Sequence, residues 1–427
     1  MNDLKQAKQA PILERLDITV RTLDDAAVTA DRVDAGALWG RRLAGNARRV
    51  AETLRSYGPR TRAEIVSLTG LSRPTVTAGL ADLSAAGLVT EETAATSRPA
   101  GGRPASILRL SRGAGLAVGV DIGRRHIRIA VSDLGHVALA ERAVRLARDA
   151  DDHPTEVLDR AAGLVDEALR ASGATRADVT GVGVGIPAPI TRLGHIGSPA
   201  LLPAWADLSP VDELGSRLDL PVRLENDANL GALAEYVWGA GRGCADLVYV
   251  KLATGIGAGI VLDGRLYRGA SGTAGELGHV TLDARGPVCR CGNRGCVELV
   301  AGGRALLEHA RLTRPDLAGL EELATLAVEG DPGCRRLLID AGTQLGFALG
   351  GLVNLLNPDR VVLGGDLGSA ATLMLDPLLR GLTDTAMAAA VGAVDVVSAQ
   401  LGQRAAALGG VALALGVDAV ALSSTPA

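Results

Sequence analysis

The chain has 427 residues, 47% hydrophobic and 22% charged, with a net charge of −4. That length exceeds one ordinary core, and the apolar fraction excludes disorder as a whole. No apolar run nears the roughly 20 residues of a bilayer span, MNDLKQAKQAPILERLD lacks the apolar stretch of a secretory leader, and five cysteines are too few and too clustered for a disulfide framework. The expected location is the cytoplasm, with no membrane contact.

Charge is unevenly spread. Residues 41–112 hold twelve arginines against five acidic residues, a net +7, while residues 1–40 carry −2 and residues 113–427 carry −9. A small basic segment on a large acidic body points to a polyanion-binding head. Residues 1–40, an N-terminal extension, show no pattern that assigns a role.

From Leu43 the pattern is helical: Ala47, Val50, Ala51 and Leu54 recur at helical spacing up to Tyr57, and Gly58-Pro59 stops the run. Thr61-Arg62-Ala63-Glu64 reads as a capping box opening a short helix that Gly70 ends. Ser72 is the next cap, Pro74 is tolerated in the first turn, and Val76, Leu80 and Leu83 share one apolar face. Arg73, Thr75 and Thr77 lie opposite that face. Two short helices across a glycine turn form a helix-turn-helix, whose second helix enters the major groove N-terminus first. LVTEE and SILRLS then predict two strands around a basic tip, SRPAGGRP, whose Arg98 and Arg103 would reach phosphates or a minor groove. Residues 41–112 are thus read as a winged helix-turn-helix that binds double-stranded DNA through Ser72, Arg73, Thr75, Thr77, Arg98 and Arg103.

From Gly115 strands alternate with helices. LAVGVDIG and IRIAVSDL meet at a tight turn, HVALAERAV follows, a helix fits residues 155–171, and VTGVGVGIP reads as a buried strand. PVRLEND, LVYVKLAT, AGIVLDGRL and RVVLGGD continue the alternation, with a helix ending near Trp238. The fold class is α/β, with ligands at the carboxyl ends of the strands.

His279, nine further residues, Cys289-Arg-Cys291, four more and Cys296 make a Cys3His set with the chemistry of a closed, structural zinc site. Gly292 and Gly295 let the loop wrap an ion. Cys244 and Cys334 stand alone and read as small core residues.

The winged head, then VDIG, ENDAN (225–229), ATGIGAGI (253–260), ELGH (276–279) and CRCGNRGCVE (289–298), in that order, resemble the ROK family of repressors and sugar kinases over residues 43–420. The resemblance implies a two-lobed actin-like, hexokinase-like ROK domain over 113–427, a sugar or sugar phosphate between the lobes, and a homodimer or homotetramer. It places Asp227 at the kinases' general-base position, and Asn226, Asp227, Glu276, His279 and Glu298 at sugar-contacting positions. Carboxylates and amides each bond two adjacent hydroxyls, which is how a pocket reads sugar stereochemistry. Asp227 and Asn229 also have a plainer reading, as caps of the following helix.

Two departures matter. The kinases' Asn-Leu-Pro-Gly-Trp becomes Leu201-Leu202-Pro203-Ala204-Trp205, which removes a hydrogen-bond partner. The kinases' first phosphate loop, Asp-x-Gly-Gly-Thr, becomes Asp121-Ile122-Gly123-Arg124-Arg125, in which Arg124 would crowd the phosphate and no hydroxyl remains. Gly255, Gly257 and Gly259 match the second phosphate loop and Gly364-Gly365 the adenosine-side turn, so the nucleotide half is a set of remnants. The expected function is a sugar-responsive transcriptional repressor with no catalytic residue in use, Asp227 being vestigial. The alternative is an ATP-dependent hexose kinase carrying a DNA-binding head, and a third reading keeps the sugar domain for assembly only.

Overall fold

The computed structural model describes residues 43, 45–93 and 106–419. The predicted wing tip with Arg98 and Arg103 lies outside the described residues, as does the extension 1–40.

The head begins with α1 (Gly45–Tyr57), whose Val50, Ala51 and Leu54 are fully buried. Gly58, at φ +74°, turns the chain into β1 (Arg60–Thr61). The predicted capping box opens α2 (Arg62–Thr69): Thr61 Oγ1 accepts from the Glu64 N–H at 3.3 Å, and the Glu64 carboxylate accepts from the Thr61 N–H at 2.7 Å. Ser72 caps α3 (Arg73–Ala85), which buries Val76, Leu80 and Leu83. β2 (Val89–Thr93) and β3 (Ser106–Leu110) follow, and the head's sheet has the order β1-β3-β2, antiparallel throughout.

The first lobe runs through β4 (Leu116–Gly123), β5 (His126–Asp133), β6 (Ala138–Arg145), α4 (Pro154–Ala171), β7 (Val179–Ile186), α5 (Pro210–Leu218) and β8 (Val222–Asn226). α6 (Asp227–Trp238) leads to the second lobe: β9 (Leu247–Leu252), β10 (Ile256–Leu262), β11 (Arg265–Leu266), α7 (Glu298–Ala301), α8 (Gly303–Arg311), α9 (Leu320–Glu329), α10 (Pro332–Leu356), β12 (Arg360–Gly364), α11 (Ala371–Thr385), α12 (Ala388–Val391), β13 (Asp395–Ser398) and α13 (Ala405–Ala414). The sheets are ordered β6-β5-β4-β7-β8 and β11-β10-β9-β12-β13. In both, three strands form an antiparallel meander and two later strands add in parallel. The body is therefore one architecture used twice.

β4 and β9 are buried along their whole length because helices cover both sheet faces. On one face of the first sheet α4 and α5 bury Leu158, Val165 and Leu214; in the second lobe α10 and α11 bury Leu338, Leu345 and Leu378. α13, AAALGGVALA, is apolar all round because it packs against β4, β7 and α6 together. The approach is backbone to backbone: a Cβ at Gly119 of β4 would fall 1.8 Å from the Ala407 carbonyl, and one at Gly409 would fall 2.0 Å from that of Leu230. Among the described residues no helix is long and apolar enough to cross a membrane.

Candidate functional site

The cysteine loop folds back on a short 3-10 turn, Leu277–His279. Ligand atoms of His279, Cys289, Cys291 and Cys296 all lie within 4.8 Å of one another. Cys289 Sγ is 3.6 Å from His279 Nδ1, and Cys291 Sγ is 3.7 Å from Cys296 Sγ. Bonds of about 2.3 Å to a tetrahedral ion put ligand atoms roughly 3.7 Å apart, so the set could hold a metal ion. A Cβ at Gly295 (φ +54°) would fall 1.9 Å from the Asp283 carbonyl, which explains a glycine at this crossing.

The loop also frames the cleft between the lobes. Asn226, Asp227, Glu276, His279 and Glu298 line one cavity, together with Leu201 and the backbone of Gly255 and Gly257. Asn226 ends β8 and is itself the cap of α6: its Oδ1 accepts from the Ala228 and Asn229 N–H groups, and its Nδ2 donates to the Ala188 carbonyl. The cap reading thus falls on Asn226, while Asn229 Nδ2 donates to Glu225. Glu298 accepts from the Ile256 N–H at 3.0 Å and from Arg290 Nε at 3.2 Å, which ties the cysteine loop to β10. Glu276 is pushed up to about 7, by burial first and then by the nearby Asp227 and Glu298 carboxylates.

Asp227 is buried and accepts from Lys251 Nζ at 2.7 Å. Burial pushes the Asp227 carboxyl up against the pull of Lys251. Burial works against the Lys251 charge too, yet Asp227 and Asp121 hold its ammonium above the ordinary lysine range. Lys251 is the site residue that the sequence reading missed. A lysine inside the otherwise apolar strand LVYVKL was its signal, since a buried charge requires a partner.

The first loop differs from expectation in its cause. Arg124 lines the cleft, but its side chain is buried and ion-paired with Asp151. His126 closes the space instead, its ring 2.3–2.8 Å from where a Cβ on Gly123 would sit. Asp121 Oδ2 lies 2.9 Å from His126 Nε2 and 3.5 Å from Arg128 Nη1, and Arg128 also reaches Asp366 at 3.2 Å. Burial opposes the Asp121 charge, but Lys251, His126 and Arg128 hold it well below the carboxylate range. The remaining loop glycines have packing reasons: a Cβ at Gly255 would meet Glu298, those at Gly257 and Gly259 would meet Ala228 of α6, that at Gly364 Tyr249 and that at Gly365 Leu252. A second cavity of about 560 Å³ adjoins the cleft through Arg125, His126, Thr254 and Asp366.

In the head, Ser72 Oγ accepts from the Thr75 N–H at 3.3 Å and lies 2.7 Å from Thr75 Oγ1, so both hydroxyls are engaged in the cap. Arg73 and Thr77 stand exposed on α3, away from the buried face. Arg62 pairs with Glu91 at 2.8 Å, joining α2 to β2. Cys244 and Cys334 are buried, as small core residues are.

Two α/β lobes of repeated topology around a carboxylate-lined cleft, preceded by a helical head, define a hexokinase-like fold with an N-terminal addition. The chain belongs to the ROK family, whose model matches residues 117–417. It is 29% identical to the xylose repressor of Bacillus subtilis strain 168 over 353 residues, covering 82% of this chain and 90% of that one. A ROK family transcriptional regulator, homolog of the E. coli MLC protein, superposes with a TM-score of 0.68 at 27% identity, covering 87% of this chain and 95% of that one. The ROK hexokinase of Thermus thermophilus gives 0.56 at 34% identity, covering 71% of this chain and 99% of that one.

Proposed function

We propose that the protein is a sugar-responsive transcriptional repressor. Residues 41–112 act as a winged helix-turn-helix on an operator, and residues 113–427 sense a carbohydrate or sugar phosphate. One contrast carries the reading: the cleft keeps Asn226, Asp227, Glu276 and Glu298 in its lining, whereas Asp121 of the first loop is already engaged by His126 and Arg128. Sugar hydroxyls would meet carboxylates, while a triphosphate would meet a loop filled by an imidazole. The extent of the likeness to the xylose repressor and to the MLC homolog, which reaches well beyond the kinase-like part, supports it.

A zinc ion at His279, Cys289, Cys291 and Cys296 would be structural, since four protein ligands leave no open position. It would fix His279 and Glu298 as cleft walls. Helix α6 runs from Asp227 in the cleft to Trp238, whose ring lies edge-on to His136; His136 Nε2 donates to the Arg55 carbonyl of the head at 2.8 Å. Closing the lobes on a sugar would move this helix against the head, and in a homodimer or homotetramer would reset the spacing of two recognition helices. Only a ligand with unequal affinity for the two states does this.

The alternative, an ATP-dependent hexose kinase with a DNA-binding head, draws on the retained Asp227 and on the likeness to the hexokinase. The first phosphate loop weighs against it, because the His126 ring fills the space beside Gly123 and Asp121 is already engaged by His126 and Arg128. ADP release with ATP, magnesium and a panel of pentoses, hexoses and amino sugars separates the two. The repressor reading expects none above background. Turnover that disappears in Asp227→Ala would make the protein an enzyme. Arg73→Ala is expected to weaken operator binding about 10-fold or more; unchanged affinity would remove α3 from the account.

A further inference from the structure

A third cavity, of about 820 Å³, lies where the head meets the body, between the end of α1, the β5–β6 turn and the C-terminal end of α6. Neither the cleft nor the metal loop contributes to it. Its wall carries four guanidinium groups, Arg60, Arg109, Arg242 and Arg360, and no aspartate or glutamate. Arg360 is paired with Asp395 at 3.0 Å and Arg109 approaches Glu92 at 3.8 Å. Among the described residues Arg60 bonds only the neighbouring Pro59 carbonyl, and the Arg242 side chain has no hydrogen bond or ion pair. The Arg109 Nε is buried without a partner. Positive charge is therefore left over in the lining of a recess large enough for a small metabolite.

Three aromatic residues, Tyr57, Tyr236 and Trp238, share the lining. Rings give a flat apolar floor for a planar group, and arginine forks give bidentate contacts to phosphate or carboxylate. His136, also in the lining, adds no charge, since its burial, and then Arg60 and Arg109, hold the imidazole neutral at physiological pH. With Arg360 and Arg109 partly offset by Asp395 and Glu92, the charge of Arg60 and Arg242 is left over, and beside three rings it selects against cations and against neutral sugars. The recess suits an anion that carries a ring.

We propose that this cavity is a second effector site, for a small aromatic or heterocyclic phosphate or carboxylate, placed at the joint through which the head is held. An occupant would touch Trp238 and His136 directly. Its binding requires no sugar, so the proposal stands apart from the sugar reading, although both ligands would act on the head through the Trp238–His136 contact.

The test uses the full chain and calorimetric titration with two probes, phenyl phosphate and inorganic phosphate, at fixed ionic strength. Phenyl phosphate is expected to bind saturably and at least 10-fold tighter than inorganic phosphate. Arg242→Glu, an exposed position that the fold does not depend on, is expected to cut that affinity 10-fold or more, with Arg242→Lys intermediate and the response to sugars unchanged. Binding that is equal in Arg242→Glu and lost in Arg304→Ala would locate the anion in the 560 Å³ cavity and overturn the proposal. So would the absence of binding by either probe, or a loss of operator affinity in Arg242→Glu without phenyl phosphate binding, which would assign these arginines to the DNA backbone.

Discussion

Trp238 meets His136 edge-on, with ring centroids 5.5 Å apart and planes at 76°. This pair joins the last residue of α6, which begins at Asp227 in the cleft, to a turn residue bonded to the Arg55 carbonyl of the head. His136 occupies the left-handed region at φ +68°, and the ring lies against Gly58, where an added Cβ would be 3.1 Å away. Histidine tolerates this region better than most side chains, and the Trp238 and Arg55 contacts hold it there.

His136→Asn is the cleanest cut, because asparagine accepts φ > 0 and removes only the ring. It is expected to cost about 1–2 kcal/mol of stability, from one aromatic contact and one buried hydrogen bond. Sugar affinity should persist while the effect of sugar on operator binding falls several-fold. Calorimetry alongside fluorescence anisotropy on labelled operator DNA reads both quantities.

The metal loop makes a stoichiometric prediction. Native protein should carry one zinc per chain by elemental analysis. A thiol-reactive mercurial with a chelator should remove it, lower the melting temperature and abolish sugar binding, because His279 and Glu298 lose their frame. Cys291→Ser, at the most accessible thiolate, should reproduce this in part.

Glu276 gives a pH signature. Its folded-state pKa is raised to about 7 from the ordinary 4.5, so between these values the folded protein binds the extra proton and this group's contribution to stability falls as pH rises through the window. Sugar hydroxyls donate better to the ionised carboxylate, so sugar affinity should rise across pH 6–8. In Glu276→Gln the profile should be flat. A wild-type profile equally flat would remove Glu276 from the contacts.

The Lys251–Asp227 pair is buried on both sides. Lys251→Met leaves an unpaired buried carboxyl and should cost about 3–5 kcal/mol by denaturant unfolding. Lys251→Met with Asp227→Asn should recover much of that loss, since the charge problem disappears with its second member.

What was legible in the chain was local or strongly spaced. Strand β4 is LAVGVDIG to the residue because it is buried on both faces and bounded by glycines. The Thr61–Glu64 box and the Ser72 cap each pair groups three residues apart in the chain, so spacing alone finds them. The His279–Cys296 set came from donor chemistry confined to one loop. Contacts between distant segments were not legible. Nothing in Asp121-Ile-Gly-Arg-Arg says that Arg124 pairs with Asp151 while His126 fills the loop, because both outcomes depend on how β5 and the segment after β6 pack. Lys251 with Asp227, and α13 wedged against α6, are likewise products of bringing two lobes together.

The most direct measurement titrates sugars against operator binding. A duplex selected by the full chain from a random-sequence pool is bound in the absence and presence of saturating xylose and a hexose panel, with Glu276→Ala in parallel. The account predicts that at least one sugar shifts the operator dissociation constant about 10-fold or more, and that the shift vanishes in Glu276→Ala while sugar-free DNA binding stays unchanged. Operator affinity that no sugar alters, with calorimetry showing a sugar bound in the cleft, would contradict it.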